Sequence, residues 1–319
     1  MTLLSFSGMS PAALSADWKP SRQIEFVVPA AAGGGPDVLA RLIQRIATEE
    51  QLVISPITIT NKPGGNHTLA WNHLQQNAGD GHVLMMASLG LLTSSLTGAN
   101  TIDYAEGVLV AQLYAEPIVF TTHPESGLHS SRDLAERLRR DSGSIAFATG
   151  GDGLGGANHL AVAQLTKAAG GDIRRLKVAQ FQSSSQATTT LLGKHIDVIA
   201  SPAAAVLAHA RAGRLRVLAI SAPLRSAALG DVPTWRESGV DAIFSNVRGV
   251  IAPRNTPAAQ ILYWEEVFAR LVATPAWQAS LQANNRSEAH LGATGAAQSW
   301  RALNDELRTL LAELGLIRH

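Results

Sequence analysis

Short runs of β-branched and apolar residues recur along the chain, with helical patterns between most of them. They fall at residues 24–28, 57–60, 82–87, 108–113, 118–121, 144–148, 176–181, 196–200, 215–220 and 247–252. Strands alternating with helices make βαβ units, which restricts the fold to the α/β class. Between the first two runs, Val38, Leu39, Leu42, Ile43 and Ile46 repeat at helical spacing and place one apolar stripe on one face. That helix opens at Gly35-Pro36, where a missing N–H costs nothing. Leu303, Leu307, Leu310, Leu311 and Leu314 mark a last helix closed by Gly315.

A chain of 319 residues exceeds what one core usually serves, so two lobes are expected. Apolar residues at 46% against 16% charged exclude disorder. The net charge of +1 is scattered, so neither nucleic acid nor a lipid surface is an expected partner. Small solutes are. The absence of cysteine removes disulfides, thiol nucleophiles and Cys-ligated metals. No apolar stretch reaches the roughly 18 residues of a spanning helix, so a soluble, non-inserted chain is expected. Residues 1–16 are read as a secretory-signal remnant, with Ala13-Leu14-Ser15-Ala16 before Asp17 as its end. They lack a basic start, and an N-terminal extension is the other reading. No repeat, low-complexity tract or flexible linker is evident, so two lobes would be joined by strands, crossing at 119–121 and 220–223.

Two glycine-rich loops carry the chemistry. The first, Pro29-Ala30-Ala31-Ala32-Gly33-Gly34-Gly35-Pro36-Asp37, joins a strand end to a helix start. Its small residues let backbone approach a ligand, and the helix start offers unpaired N–H groups and partial positive charge. That suits an anion at the carboxyl ends of the strands. The second runs Thr149-Gly150-Gly151-Asp152-Gly153-Leu154-Gly155-Gly156-Ala157-Asn158, before a helix from His159 to about Ala169. A turn without a ligand would explain one such loop as well; two loops, one in each lobe, favour an anion held from both sides.

The second loop also fits GxGxxG at Gly151, Gly153 and Gly156, so an NAD(P)-dependent oxidoreductase is an alternative. A dinucleotide site needs an acidic residue closing the next strand, whereas this one ends Phe181-Gln182-Ser183. No GxSxG elbow, HExxH helix, phosphate loop or EF-hand loop is present, and the ten histidines show no metal-ligand spacing. A binding protein without catalytic residues, metal or cofactor is therefore expected. Arg248 lies within an otherwise apolar strand, where its charge needs a partner. It reads either as a clamp on a ligand carboxylate or as one half of a salt bridge.

Several motifs together resemble a known family: Phe26-Val27-Val28-Pro29 with Ala32 to Gly35 and Asp37, Asn61-Lys62-Pro63-Gly64-Gly65, Asp80-Gly81-His82, the second glycine loop with His159-Leu160-Ala161, Leu192-Gly193 with Asp197-Val198, Ala212-Gly213-Arg214-Leu215-Arg216, and Asp231-Val232-Pro233-Thr234. In this order they are similar to the solute receptors of tripartite tricarboxylate transporters, also called Bug receptors. The resemblance implies a two-lobed Venus-flytrap fold of type II, with the ligand in the interlobe cleft. It also implies a periplasmic location, a monomer, and delivery of a di- or tricarboxylate to membrane permease subunits. One lobe would comprise 17–119 and 223–319, the other 120–222. The implied ligand residues are Ala30, Ala31, Ala32, Gly33, Gly34, Asp37, Ser88 and Gly90 in the first lobe, and Thr149, Gly150, Gly153 and Asn158 in the second. Where members carry Tyr-Lys-Gly and Asp-Asn, this chain has Phe181-Gln182-Ser183 and Ala200-Ser201, which makes Ser183, Ser184 and Ser201 neutral hydroxyl donors. The Asn-x-Arg-Gly form around Arg248 resembles members associated with tricarboxylates. A ligand-sensing signalling protein on the same fold is a third reading.

Overall fold

The computed structural model describes residues 18–151 and 153–317; the leader-like segment at 1–16 lies outside them. The strands are β1 (Ile24–Val28), β2 (Ile57–Asn61), β3 (Val83–Ser88), β4 (Val108–Thr122), β5 (Ala146–Gly150), β6 (Lys177–Phe181), β7 (Val198–Pro202), β8 (Arg216–Ile220), β9 (Ser245–Ala252) and β10 (Ser287–Gly292). The helices are α1 (Gly35–Glu49), α2 (Thr68–Gln76), α3 (Leu89–Leu96), α4 (Ser131–Arg140), α5 (Ala157–Ala168), α6 (Ser184–Leu192), α7 (Leu207–Arg211), α8 (Ala258–Val272), α9 (Pro275–Ala283) and α10 (Ala293–Glu313).

Two elements depart from the sequence pattern. The runs at 108–113 and 118–121 form one strand, β4, because Pro117 does not interrupt it. Pro117 pairs with Ser245 of β9, and Ile118 already pairs with Pro202 of β7. A residue without an N–H is tolerated at such a change of partners. Strand β10 was not expected, since Ser287-Glu288-Ala289-His290-Leu291 lacks β-branched residues. It pairs antiparallel with β4, from Ser287 opposite Ala115 to Gly292 opposite Ala111.

The strand order is β2-β1-β3-β9-β4-β7-β5-β6, with β10 and β8 also on β4. The first part of β4 belongs with β9, and Ile118–Thr122 lies between β7 and β8. Each half follows one plan. β1 runs parallel to β2 and β3, as β5 does to β6 and β7, and β3 and β7 are then met by an antiparallel strand. β1 and β5 therefore occupy equivalent places, although no repeat is visible in the sequence.

Apolar burial follows this plan. α1, α8 and α9 cover one face of the first half, where Phe26, Ile43, Trp264 and Trp277 pack together. Ala187, Leu191, Ile199 and Val206 form a separate cluster in the second half. A third cluster joins both, bringing Leu92 of α3 and Trp300 and Leu311 of α10 into one core with Leu160 and Val162 of α5.

Ser221 closes the seam where the sheets meet. Its hydroxyl accepts from the Ile118 N–H at 2.8 Å and donates to the Phe244 carbonyl. The Ser221 N–H donates to Ile118 O and the Phe244 N–H to Ser221 O. Residue 223 does not mark the chain's return to the first sheet. Thr234 bridges Ile220, Trp235 stacks edge-on to Phe120 at 5.3 Å, and Ser238 bonds Ser131. The return comes at Phe244–Ser245, and the outward crossing at Pro117–Ile118, just before the expected 119–121. Ser221→Ala leaves a buried N–H and a buried carbonyl short of partners and is expected to cost about 1–3 kcal/mol. Urea unfolding measures this, and a change within error would mean that the seam does not depend on this hydroxyl.

Candidate functional site

The loops after the equivalent strands β1 and β5 share one backbone plan. The Gly34 N–H donates to Ala31 O at 3.2 Å, and the Gly156 N–H to Gly153 O at 3.1 Å. The residues before them, Gly33 and Gly155, have φ of 80° and 81°, a conformation glycine adopts without steric cost. Gly34 and Gly156 are the N-caps of α1 and α5, with φ/ψ of −72°/164° and −74°/167°. In each loop the positive-φ glycine donates its N–H to a side chain four residues on. Gly33 reaches Asp37 Oδ2 at 2.8 Å, and Gly155 reaches His159 Nδ1 at 3.0 Å.

These two side chains brace the loops from inside. Asp37 is buried, and its carboxylate also accepts from Arg41 Nε at 2.9 Å and Asn61 Nδ2 at 3.0 Å. Arg41 and the Gly33 N–H hold its pKa at about 2. Asn61 Nδ2 also donates to Ala30 O, fixing the start of the loop. His159 is buried too, and burial pushes its imidazole down to about 4. Its Nδ1 accepts from Gly155, so the neutral ring carries its proton on Nε2.

The outer sides of the loops are open. Ala31, Ala32 and Gly33 are exposed, Ala30 and Gly34 half-buried. An added Cβ would meet nothing within 4 Å at Gly33, Gly35, Gly151 or Gly153. The first helical N–H groups there have no intrahelical acceptor. α3 begins directly after β3, two residues separate β6 from α6, and the first turns of α3, α5 and α6 contain no acidic residue.

The remaining expected residues divide by what they touch. In the first half, Ser88 caps α3 through its backbone and pairs with Arg248. Gly90 lies in the first turn of α3, and a methyl group there would meet the His67 ring at 2.8 Å. The β1–β3 pairing reaches Val27 opposite Met85. At the end of β3, Ser88 is paired with Arg248, which is also paired with Tyr114. Arg248 is half-buried; Nη1 donates to Asn246 Oδ1 at 2.9 Å, and the side chain also bonds the Tyr114 phenol, whose pKa burial raises. Among the described residues no carboxylate forms an ion pair with it.

In the second half, most polar groups are engaged locally. Thr149 Oγ1 donates to Gln180 Oε1 at 3.0 Å, Asn158 Nδ2 to Gly150 O at 2.7 Å, and Ser201 Oγ to Pro202 O at 3.1 Å. Ser183 caps α6 by accepting from the Gln186 N–H, and the Gln182 N–H donates to Gln186 Oε1. Gly150 is a packing glycine, because a side chain would overlap the backbone of Ser183 and Ser184. The Phe181 carbonyl accepts from the Gly151 N–H at 3.2 Å. Sequence reasoning missed the turn Gly64-Gly65-Asn66-His67, where four successive φ values are positive and which packs against the start of α3. The Gly-Gly-Asn sequence was its available signal.

Two sheets sharing a strand, each with a glycine loop leading into a helix, define a two-lobed solute-binding protein. Residues 39–309 match the family model described as tripartite tricarboxylate transporter family receptor. The chain belongs to that family, whose members are periplasmic solute receptors. It is 30% identical to protein BugT of Bordetella pertussis over 250 residues, covering 77% of this chain and 74% of that protein. Among solved structures, a TctC solute-binding protein from Polaromonas matches with a TM-score of 0.79 at 24% identity, over 92% of this chain and 99% of that one. The periplasmic binding protein BugD matches with a TM-score of 0.73 at 21% identity, over 94% and 100%. Among the described residues no helix is long and apolar enough to cross a membrane.

The His159 brace sets a pH dependence. Above about pH 6.5 the ring is neutral folded or unfolded. Between there and the folded value of about 4 only the unfolded chain takes the proton, so stability falls with pH, by roughly 3 kcal/mol at most. Asp37 adds a loss at lower pH, between its ordinary value of 3.8 and about 2. His159→Asn keeps an acceptor for Gly155 without a titrating ring. Chemical unfolding at pH 7.5 and 4.5 should show a smaller loss in the variant, and equal losses would contradict this account.

Proposed function

We propose that this chain is a periplasmic receptor that captures a small carboxylate between its lobes and delivers it to a membrane permease. The observation that carries the reading is the pair of loops built to one backbone plan on the equivalent strands β1 and β5. Each presents a helix N-terminus, worth about 0.3–1 kcal/mol toward an anion and more once water is excluded. The lobes would be 18–117 with 245–317 and 118–244, turning on the seam at Ile118, Ser221 and Phe244. The carboxylate would lie against Ala31 to Gly35 and Gly151 to Gly153, with Arg248 as a second anchor, because a guanidinium in a central strand without a carboxylate partner is suited to one supplied by a ligand. Ser88, Gly90 and Ser184 would shape the site through backbone, while Asp37, Asn158 and His159 hold the loops.

Two structural relatives were solved with carboxylates: a Rhodopseudomonas palustris protein with adipate, at a TM-score of 0.76, and MatC with malate, at 0.65. Those ligands support the same chemical class here. The dinucleotide reading lacks its ribose partner, since β6 ends at Phe181 and the next residue is Gln182. The reading is tested by titration calorimetry with mono-, di- and tricarboxylates. One class should bind with about micromolar affinity, near −8 kcal/mol. Arg248→Ala should weaken it at least about ten-fold, and Arg248→Lys by less. Binding of NAD but of no carboxylate would overturn the reading, and full affinity in Arg248→Ala would remove the second anchor.

A further inference from the structure

Arg248 lies on β9 between β3 and β4, and these three strands contain one acidic residue, Glu116. The register brings that acid close. Tyr114 is opposite Arg248, and Glu116 is opposite Asn246. Residues two apart on a strand face one side of a sheet, and so do residues directly opposite each other across a pair. All four side chains therefore share a face. Glu116 is the diagonal neighbour of Arg248, at a spacing of about 7–8 Å that long side chains can span. The guanidinium also leans toward Glu116's level, since its Nη1 donates to Asn246 Oδ1 at 2.9 Å. A carboxylate and a guanidinium so placed are suited to a charge-assisted pair.

Glu116 pairs elsewhere. Arg286, the residue before β10, reaches it from the other edge of β4, with Nε 3.2 Å from Glu116 Oε1. Both side chains are largely buried, at 16% and 12% exposure. The same guanidinium lies over the Tyr114 ring, 4.6 Å from its centroid, where the ring face attracts a cation. Tyr114 thus stands between two cations, carrying Arg286 on its ring and bonding Arg248 through its phenol. With Glu116 taken, the side-chain partners of Arg248 among the described residues are neutral: the Asn246 amide and the Tyr114 phenol.

We propose that Arg286 is a positioning residue for ligand binding. By occupying Glu116 it keeps that carboxylate off Arg248, and so leaves the Arg248 guanidinium open to a carboxylate of the ligand. The proposal rests on the reading of Arg248 as the second anchor. Without Arg286, Glu116 would be a buried acid short of its partner, a costly state that pairing with Arg248 relieves. An internal carboxylate fixed beside Arg248 would then compete with the ligand's.

Titration calorimetry of the full chain with acetate, adipate, malate and citrate identifies the acid bound most tightly, and that acid is the probe for the variants. Arg248→Ala and Arg286→Gln should each weaken it about ten-fold or more. Glu116→Gln combined with Arg286→Gln removes the competing charge and should return the affinity to within about three-fold of wild type. A role for the ion pair in folding alone would give no such rescue. Asn246→Asp leaves Arg286 in place and sets a carboxylate beside Arg248 by another route. It should also weaken binding about ten-fold, and it reads the same competition should Arg286→Gln fail to fold. Unchanged affinity in Arg286→Gln or Asn246→Asp, or a double variant as weak as Arg286→Gln, would overturn the proposal while a loss in Arg248→Ala left the anchor standing. Full affinity in Arg248→Ala would remove the anchor, and binding of none of the four acids the receptor reading, with this proposal falling in either case.

Discussion

Strand β4 belongs to both sheets, and the rest of the architecture depends on that continuity. Val108 to Pro117 hydrogen-bond with β9, while Ile118 to Thr122 lie between β7 and β8. No flexible tether separates the halves; β4 itself passes from one to the other where it changes partners. The end of β8 and the start of β9 meet the middle of β4 there, and one hydroxyl, that of Ser221, ties all three together. A proline at the seam removes a donor that neither sheet needs. The cluster joining α3, α5 and α10 adds a second connection beside it.

The repeated plan of the halves explains why two loops far apart in sequence are so alike. Both follow the strand that has parallel neighbours on either side, and both turn through a glycine with φ near +80° before a helix. What differs is the brace. An ionised Asp37, itself paired with Arg41 and hydrogen-bonded by Asn61, holds the first loop, and a neutral histidine holds the second. In both loops the bracing side chain bonds inward to the glycine of positive φ, and the outer side is left to backbone.

The alternation of apolar runs with helical patterns was enough to locate nine of the ten strands, with 108–113 and 118–121 joined into one, because each of the nine carries β-branched or apolar residues of its own. β10 escaped because its burial comes from pairing with β4 rather than from its own composition. The glycine loops were legible as backbone-exposing turns, but the inward role of Asp37 was not. An acidic residue in a first helical turn reads the same whether it faces a ligand or its own loop, and only the positions of Gly33, Arg41 and Asn61 distinguish the two. Gly150 posed the same difficulty, since its small size serves the approach of Ser183 and Ser184. The brace at His159 had no sequence signal beyond its offset of four residues from Gly155. Arg248 was conspicuous as a charge in an apolar strand, and its lack of a carboxylate partner emerged only in three dimensions.

The central claim is that both loops bind the same anion, and amide chemical shifts during a carboxylate titration test it most directly. With the protein ¹⁵N-labelled, the amides of Gly33, Gly34, Gly35, Gly151 and Gly153 should move along one saturation curve with a common midpoint. Shifts confined to one loop, or separate midpoints for the two, would contradict a site shared between the lobes.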